Sequence, residues 1–130
     1  ALMQYAHLNH AQISLHEIWA NTAIGIDQMQ NKLFYMTQIN DQKVFQMLDL
    51  SEFGSCKIVN ISNTFQGKSS NYKVIEKLDL LLSYLDPKKG SVELNVYNIS
   101  HQNLTITGEL AIAEKWEKLI NEKLISNIKK

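Results

Sequence analysis

The chain has no arginine, one cysteine, one proline and five glycines, and its 13 acidic and 13 basic side chains cancel to a formal net charge of zero. Without guanidinium groups or an excess of positive charge there is no fork to grip guanine or phosphate and no counterion release to drive binding, which argues against a nucleic-acid partner. A lone Cys56 rules out an intrachain disulfide, and its place in the apolar run Cys56-Lys57-Ile58-Val59 predicts a buried, unreactive thiol in a reducing compartment. No run approaches the roughly 18 apolar residues of a membrane span. The first 20 residues hold no lysine to make the charged start of a signal peptide. The expected location is therefore the cytoplasm or the cytoplasmic face of a membrane. The chain begins at Ala1, so a processed or truncated product is expected, compatible with the soluble part of a larger membrane-associated protein. Three sequons start at Asn60, Asn98 and Asn103, and in an asparagine-rich chain without a secretion signal they read as chance.

What is present is 130 residues, 45% of them apolar, enough for one domain that holds its core without disulfide or metal. No repeat or linker divides the chain, so a single unit over 1–130 is expected. Residues 1–20 mix Leu2, Tyr5, Ala6, Leu8, Ile13, Leu15, Ile18 and Trp19 with polar residues at loosely helical spacing, which gives a short helix near 2–10 within a helical or linker segment. The segment's alternatives are a packed helix, an added edge strand or a linker stub.

From Thr22 the texture becomes short β-type runs cut by polar turns. Ala23–Asp27, Lys32–Ile39 and a strand marked by Val44, Phe45, Met47 and Leu48 form a meander. Leu50–Gly54 reads as a turn, Cys56–Thr64 as the next strand and Gln66–Asn71 as an exposed loop. Residues 72–86 answer to two periods: Val74, Ile75, Leu78, Leu81, Leu82 and Leu85 fit a helix, while Val74, Leu78, Leu80, Leu82 and Tyr84 fit a strand. The following Asp86-Pro87-Lys88-Lys89-Gly90 has Pro and Gly placed for a compact turn into Val92, Leu94, Val96 and Ile99, so the hairpin is preferred. At the end, Thr107 fits an N-cap, Glu109 suits the helix dipole, and Ile112, Ala113, Trp116, Leu119, Ile120 and Leu124 form one apolar stripe through about residue 126. Glu114, Lys115, Glu117, Lys118 and Glu122 occupy the opposite face. The fold class is thus α+β, mainly β: a strongly bent antiparallel sheet or roll of six to seven strands over 22–100, a capping amphipathic helix at 107–126 and a short N-terminal helix.

This order of elements resembles bacterial pleckstrin-homology-like domains of uncharacterised function. The runs Ala23-Ile24-Gly25-Ile26-Asp27, Lys32-Leu33-Phe34-Tyr35, Leu48-Asp49-Leu50 and Cys56-Lys57-Ile58-Val59 carry the likeness, with Thr107 to Trp116 similar to the closing helix. The resemblance implies a bent sheet with one mouth covered by the helix and loops presented at the other. In eukaryotic members loops between the first strands bind phosphoinositides through clustered Lys and Arg. Here Gln28–Asn31 has no basic residue and only Lys32 follows it, which removes the main support for a lipid headgroup.

The chemical constellations are thin. His7 and His10 share a predicted helical face, but with His16 unplaced they make no metal site, and none is expected. Gly67-Lys68-Ser69 lacks the earlier glycine of a phosphate loop, since position 62 is Ser. Asp27, Asp49 and Asp79 each read as turn-adjacent, with no sign that any two converge. Trp19, Phe34, Tyr35, Met36 and Trp116 read as core. No catalytic residue, cofactor or metal is expected. The leading expectation is a non-catalytic interaction or regulatory module with a protein partner. Its alternatives are lysine-mediated contact with a membrane surface or small acidic ligand through Lys68, Lys73, Lys88 and Lys89, and a small enzyme. Partner identity and oligomeric state are open at this point.

Overall fold

A computed structural model describes residues 2–68, 70–98 and 108–128, without the side chains of residues 65, 72, 73 and 126–128. Thr107, Ser69, Ile99 and the sequons at Asn98 and Asn103 therefore fall wholly or partly outside the described residues. Helix α1 (Leu2–Leu8) precedes strands β1 (Leu15–Trp19), β2 (Thr22–Asp27), β3 (Lys32–Ile39) and β4 (Gln42–Asp49), which form a four-stranded antiparallel sheet in that order. A short 3-10 turn at Leu50–Glu52 leads into a second, three-stranded antiparallel sheet of β5 (Phe53–Gln66), β6 (Asn71–Tyr84) and β7 (Ser91–Asn98). Helix α2 (Glu109–Ile128) closes the chain. No described helix is long and apolar enough to cross a membrane.

The turns follow from their residues. Asn40 and Asp41 both take positive φ, the conformation that a two-residue hairpin requires and that Asn and Asp tolerate. The Asp27 carboxylate accepts the backbone N–H groups of Met29 and Gln30 at 3.0 Å, which closes the β2–β3 turn. Pro87 opens a 3-10 turn, and Gly90 leaves it at φ 76°, a conformation that L side chains rarely adopt. The ambiguous segment 72–86 is strand β6, with Leu78, Leu80 and Leu82 all turned into the core.

Two departures from the sequence reading matter. Strands begin at Leu15, not 22, because β1 is a true edge strand paired with β2 from Leu15↔Ile26 to Trp19↔Thr22. Helix α1 stops at Leu8, and His10 lies in the following turn at φ 59°, so His7 and His10 do not share a helical face. The register explains the packing. Ile24, Ile26, Leu33, Tyr35 and Leu48 face the second sheet's Leu78, Leu80, Leu82, Leu94 and Val96, and Trp116, Ile120 and Leu124 of α2 complete this core. On the other face of the first sheet, Ala23 and Phe34 are covered by Leu2 and Ala6 of α1 and by Ala11, so every residue of β2 is buried. Gly25 lies under Ile13, where a Cβ would approach within 2.9 Å, which explains a glycine inside a central strand.

Candidate functional site

Three regions collect the chemistry-bearing residues: the lysine loops, a polar cleft between the sheets, and an apolar groove beside β1. Lys68 sits in the β5–β6 loop, and Lys73 follows at the start of β6, paired in register with Thr64. Lys88 and Lys89 lie in the β6–β7 turn at the opposite end of β6. Along an extended strand of that length the two pairs are separated by roughly 40 Å, so the structure does not gather the four lysines. Lys89 is also engaged, 3.0 Å from Glu52 and stacked over the Tyr84 ring.

The polar cleft, about 230 Å³, lies where Thr37 and Ile39 of β3 meet Lys77 and Asp79 of β6 and Glu93, Asn95 and Asn98 of β7. Asp79 is in the middle of β6, not beside a turn as its sequence context implied, and is 2% exposed. Its Oδ2 lies 3.1 Å from Lys77 Nζ and its Oδ1 accepts from Asn95 Nδ2 at 2.9 Å. This hydrogen bond and the charge behind it hold the Lys77 ammonium above its ordinary pKa, with Glu93 at 4.0 Å adding to the effect. A register irregularity at Leu78/Asp79 gives β7 an extra residue at this point. In a regular strand successive carbonyls point to opposite edges, yet Asn95 O accepts from Tyr35 Oη at 2.7 Å and Val96 O from Trp19 Nε1 at 2.9 Å. The bulge is what lets both carbonyls face the first sheet. Burial pushes the Tyr35 phenol up to about 12, helped by the negative Asp79. Asp79 thus serves as the anchor of the inter-sheet seam, with its carboxylate already satisfied.

The other candidate groups are engaged in the same way. Asp27 Oδ2 also accepts Gln12 N–H at 2.8 Å, tying the N-terminal segment to the hairpin. Asp49 accepts from Ser51 N and Oγ at the start of the 3-10 turn. Asp27 and Asp49 share one row across the sheet with Lys32 between them. Cys56 is buried, and desolvation, with Glu117 nearby, pushes its thiol up to about 12, so little thiolate exists at neutral pH. Among the described residues no group of three or more His, Cys, Asp or Glu is arranged to hold a metal ion.

Sequence reasoning missed how α2 docks. Asn121 Oδ1 accepts Cys56 N–H at 2.9 Å and its Nδ2 donates to Cys56 O at 2.8 Å, so one side-chain amide stands in for a neighbouring strand. One turn earlier, Glu117 Oε2 accepts Ile58 N–H at 2.8 Å. Glu117, expected on the solvent face, is instead a cap on the β5 edge. From Glu17 on β1, Oε1 accepts Trp116 Nε1 at 2.9 Å and meets Lys115 at 3.1 Å.

The apolar groove, about 200 Å³, is lined by Leu2, Met3, Ile13, His16, Ile18, Ala23 and Met36, between α1 and the outward face of β1, β2 and β3. Ile18 is 70% exposed and Met3 is exposed beside it. The groove lining contains no Asp, Glu or Lys. No family model, curated protein or solved structure matches this chain. The fold and sites define a mainly β α+β protein of two antiparallel sheets, a short N-terminal helix and a closing C-terminal helix.

Proposed function

We propose that this chain is a non-catalytic interaction module on a pleckstrin-homology-like roll. Four antiparallel strands, then three, then a helix seated against both sheets support the roll reading. The phosphoinositide use of such a roll has no counterpart here: the hairpin now first in order, β1–β2, turns at Ala20-Asn21, and the first lysine of the chain is Lys32. One observation carries the module reading. Asp27, Asp79 and Cys56 are engaged in holding the fold, whereas the groove at Met3, Ile13 and Ile18 leaves apolar surface in water beside an open strand edge.

The test is a photo-crosslinking amino acid placed in cells at Met3, at Ile18 and, as control, at the exposed Glu114 on α2. A discrete adduct at Met3 and Ile18 and none at Glu114 is expected. No adduct at Met3 or Ile18, or equal labelling at all three, overturns the reading. Anionic vesicles should not pellet the protein even at low salt, since the lysines are dispersed.

A further inference from the structure

The two helices are held by different means. Helix α2 combines a buried stripe of Trp116, Ile120 and Leu124 with side-chain hydrogen bonds from Trp116, Glu117 and Asn121 to the strands. Helix α1 has seven residues and no acidic residue in its first turn, and it buries only Leu2 and Ala6, with Tyr5 half-buried. Among the described residues, none of its side chains makes a hydrogen bond or an ion pair. Its hold on the sheet is apolar. Tyr5 stacks on Phe45 at 4.7 Å and meets Phe34 edge-on at 6.1 Å, while Leu2 and Ala6 join Ala23 and Phe34 in a cluster separate from the main core. A helix of about two turns is not stable by itself in water. For α1, undocking and unwinding are therefore one event.

Open space adjoins α1 on both flanks. The apolar groove borders it at Leu2 and Met3, and a second, wider cleft of about 580 Å³ borders it at His7 and Leu8. Behind the helix the chain is tied down. Gln12 N–H donates to Asp27 Oδ2 at 2.8 Å, Ser14 N–H to Ile26 O at 2.9 Å, and Gln30 Nε2 to His10 O at 2.7 Å. Between the helix and these ties lie Asn9 and His10, the latter at φ 59°, a left-handed conformation that is uncommon outside glycine. Across this joint Ala11 N–H donates back to Ala6 O at 2.9 Å.

We infer that α1 is a lid: it undocks and unwinds as one unit about Asn9 and His10, while both sheets and the chain from Gln12 onward stay folded. The main core survives the opening because it is built from the opposite face of the first sheet, by Ile24, Ile26, Leu33 and Tyr35, together with the second sheet and α2. Opening uncovers Ala23, Phe34 and Phe45 and takes Leu2 and Met3 out of the groove wall. Groove and covered face then form one apolar surface. The use of the lid rests on the interaction-module reading, to which it adds a gate: with α1 docked only the groove is open, and with α1 released the whole outer face of β2 and β3 is.

Native-state hydrogen exchange on the full chain, repeated at several low denaturant concentrations, tests the lid. The Asn9, His10 and Ala11 amides, bonded to Ala6 O, His7 O and Ala6 O, are expected to exchange together, roughly a hundredfold or more faster than amides of the β2–β3 ladder and with a smaller denaturant dependence. The Gln12 and Ser14 amides, on the tied side of the joint, stay protected with the ladder. Ala6→Asp puts a carboxylate at a position that is 1% exposed and should release the lid in full. The same three amides then lose protection, the β2–β3 and β6–β7 ladders keep theirs, and binding of an apolar fluorescent dye rises several-fold. If that variant does not fold, the wild-type pattern alone decides. Asn9, His10 and Ala11 amides that exchange with the ladder, or Gln12 and Ser14 amides that exchange with the helix, overturn the inference. If the lid is seen and no adduct forms at Met3 or Ile18, the module reading falls and the lid stands; adducts at both with ladder-like exchange of α1 give the reverse.

Discussion

Asn121→Ala removes both hydrogen bonds that seat α2 on the β5 edge, to Cys56 N at 2.9 Å and to Cys56 O at 2.8 Å. The edge groups of Cys56 have no strand on that side, since β6 pairs on the other, so truncation leaves a donor and an acceptor beneath the helix without a protein partner. At about 1 kcal/mol for each lost bond, with a further desolvation cost because the site is partly enclosed, the loss comes to about 2.5 kcal/mol. The unfolding entropy of a chain this size, about 0.27 kcal/mol/K, converts that into a fall in Tm of about 9 °C. Urea unfolding gives the free energy, and hydrogen exchange gives the site: the Cys56 amide should lose its protection in the variant while amides in the β6–β7 ladder keep theirs. A loss below about 0.5 kcal/mol with Cys56 exchange unchanged would refute the reasoning, because a surface change of no structural consequence has that signature.

Three further outcomes follow from the same contacts. Trp116→Ala should cost about 4 kcal/mol in chemical unfolding, because the ring is 1% exposed and its Nε1 holds Glu17, and Trp116→Phe should restore part of it. Burial by itself raises the Asp27 carboxyl, but the N–H groups of Gln12, Gln30 and Met29, with Lys32, hold it below the ordinary 3.8. Its stabilisation is therefore complete above that value and lost as pH falls through the lower folded one; a thermal melt series in acid should show the loss in wild type and a smaller one in Asp27→Ala, itself about 3 kcal/mol less stable at neutral pH. The Cys56 thiol, buried and raised to about 12, should resist maleimide in native buffer at neutral pH and react at once in denaturant; rapid native labelling would contradict the burial.

Much of the architecture was legible because local chemistry and pattern agreed. Lys32–Ile39 is rich in aromatic and apolar residues and is bounded by turn residues, and it is β3 with those same ends. In 72–86 the leucines alone satisfied a helix and a strand equally; Pro87 and Gly90 resolved the choice, since they specify a tight return that a helix does not need. The β1 strand stayed one of three alternatives because its inward face holds Glu17 beside Trp19, so the alternation that marks a half-buried strand is broken by a carboxylate serving Trp116. The capping pair on α2 was illegible for a related reason. Glu117 and Asn121 are polar residues on an otherwise charged helix face, and only the tertiary position of the β5 edge turns them from solvated side chains into strand partners. The polar cleft had one signal, a lone Asp79 between Leu78 and Leu80, which an alternating strand places on the face opposite the core; its burial depends on the irregular pairing with β7 and on Lys77. None of the four lysines singled out in the sequence joins these sites, because charge in a loop carries no information about which end of a long hairpin the loop occupies.

The central claim is that Asn121 and Glu117 of α2 act as strand partners for the β5 edge at Cys56 and Ile58, which seats the helix on the second sheet. Residue-resolved hydrogen exchange on wild type, Asn121→Ala and Glu117→Ala tests it in one experiment. The account predicts that the Cys56 and Ile58 amides are protected in wild type, that Asn121→Ala releases the Cys56 amide and that Glu117→Ala releases the Ile58 amide. Cys56 and Ile58 amides that exchange freely in wild type, or that stay protected in both variants, would contradict it.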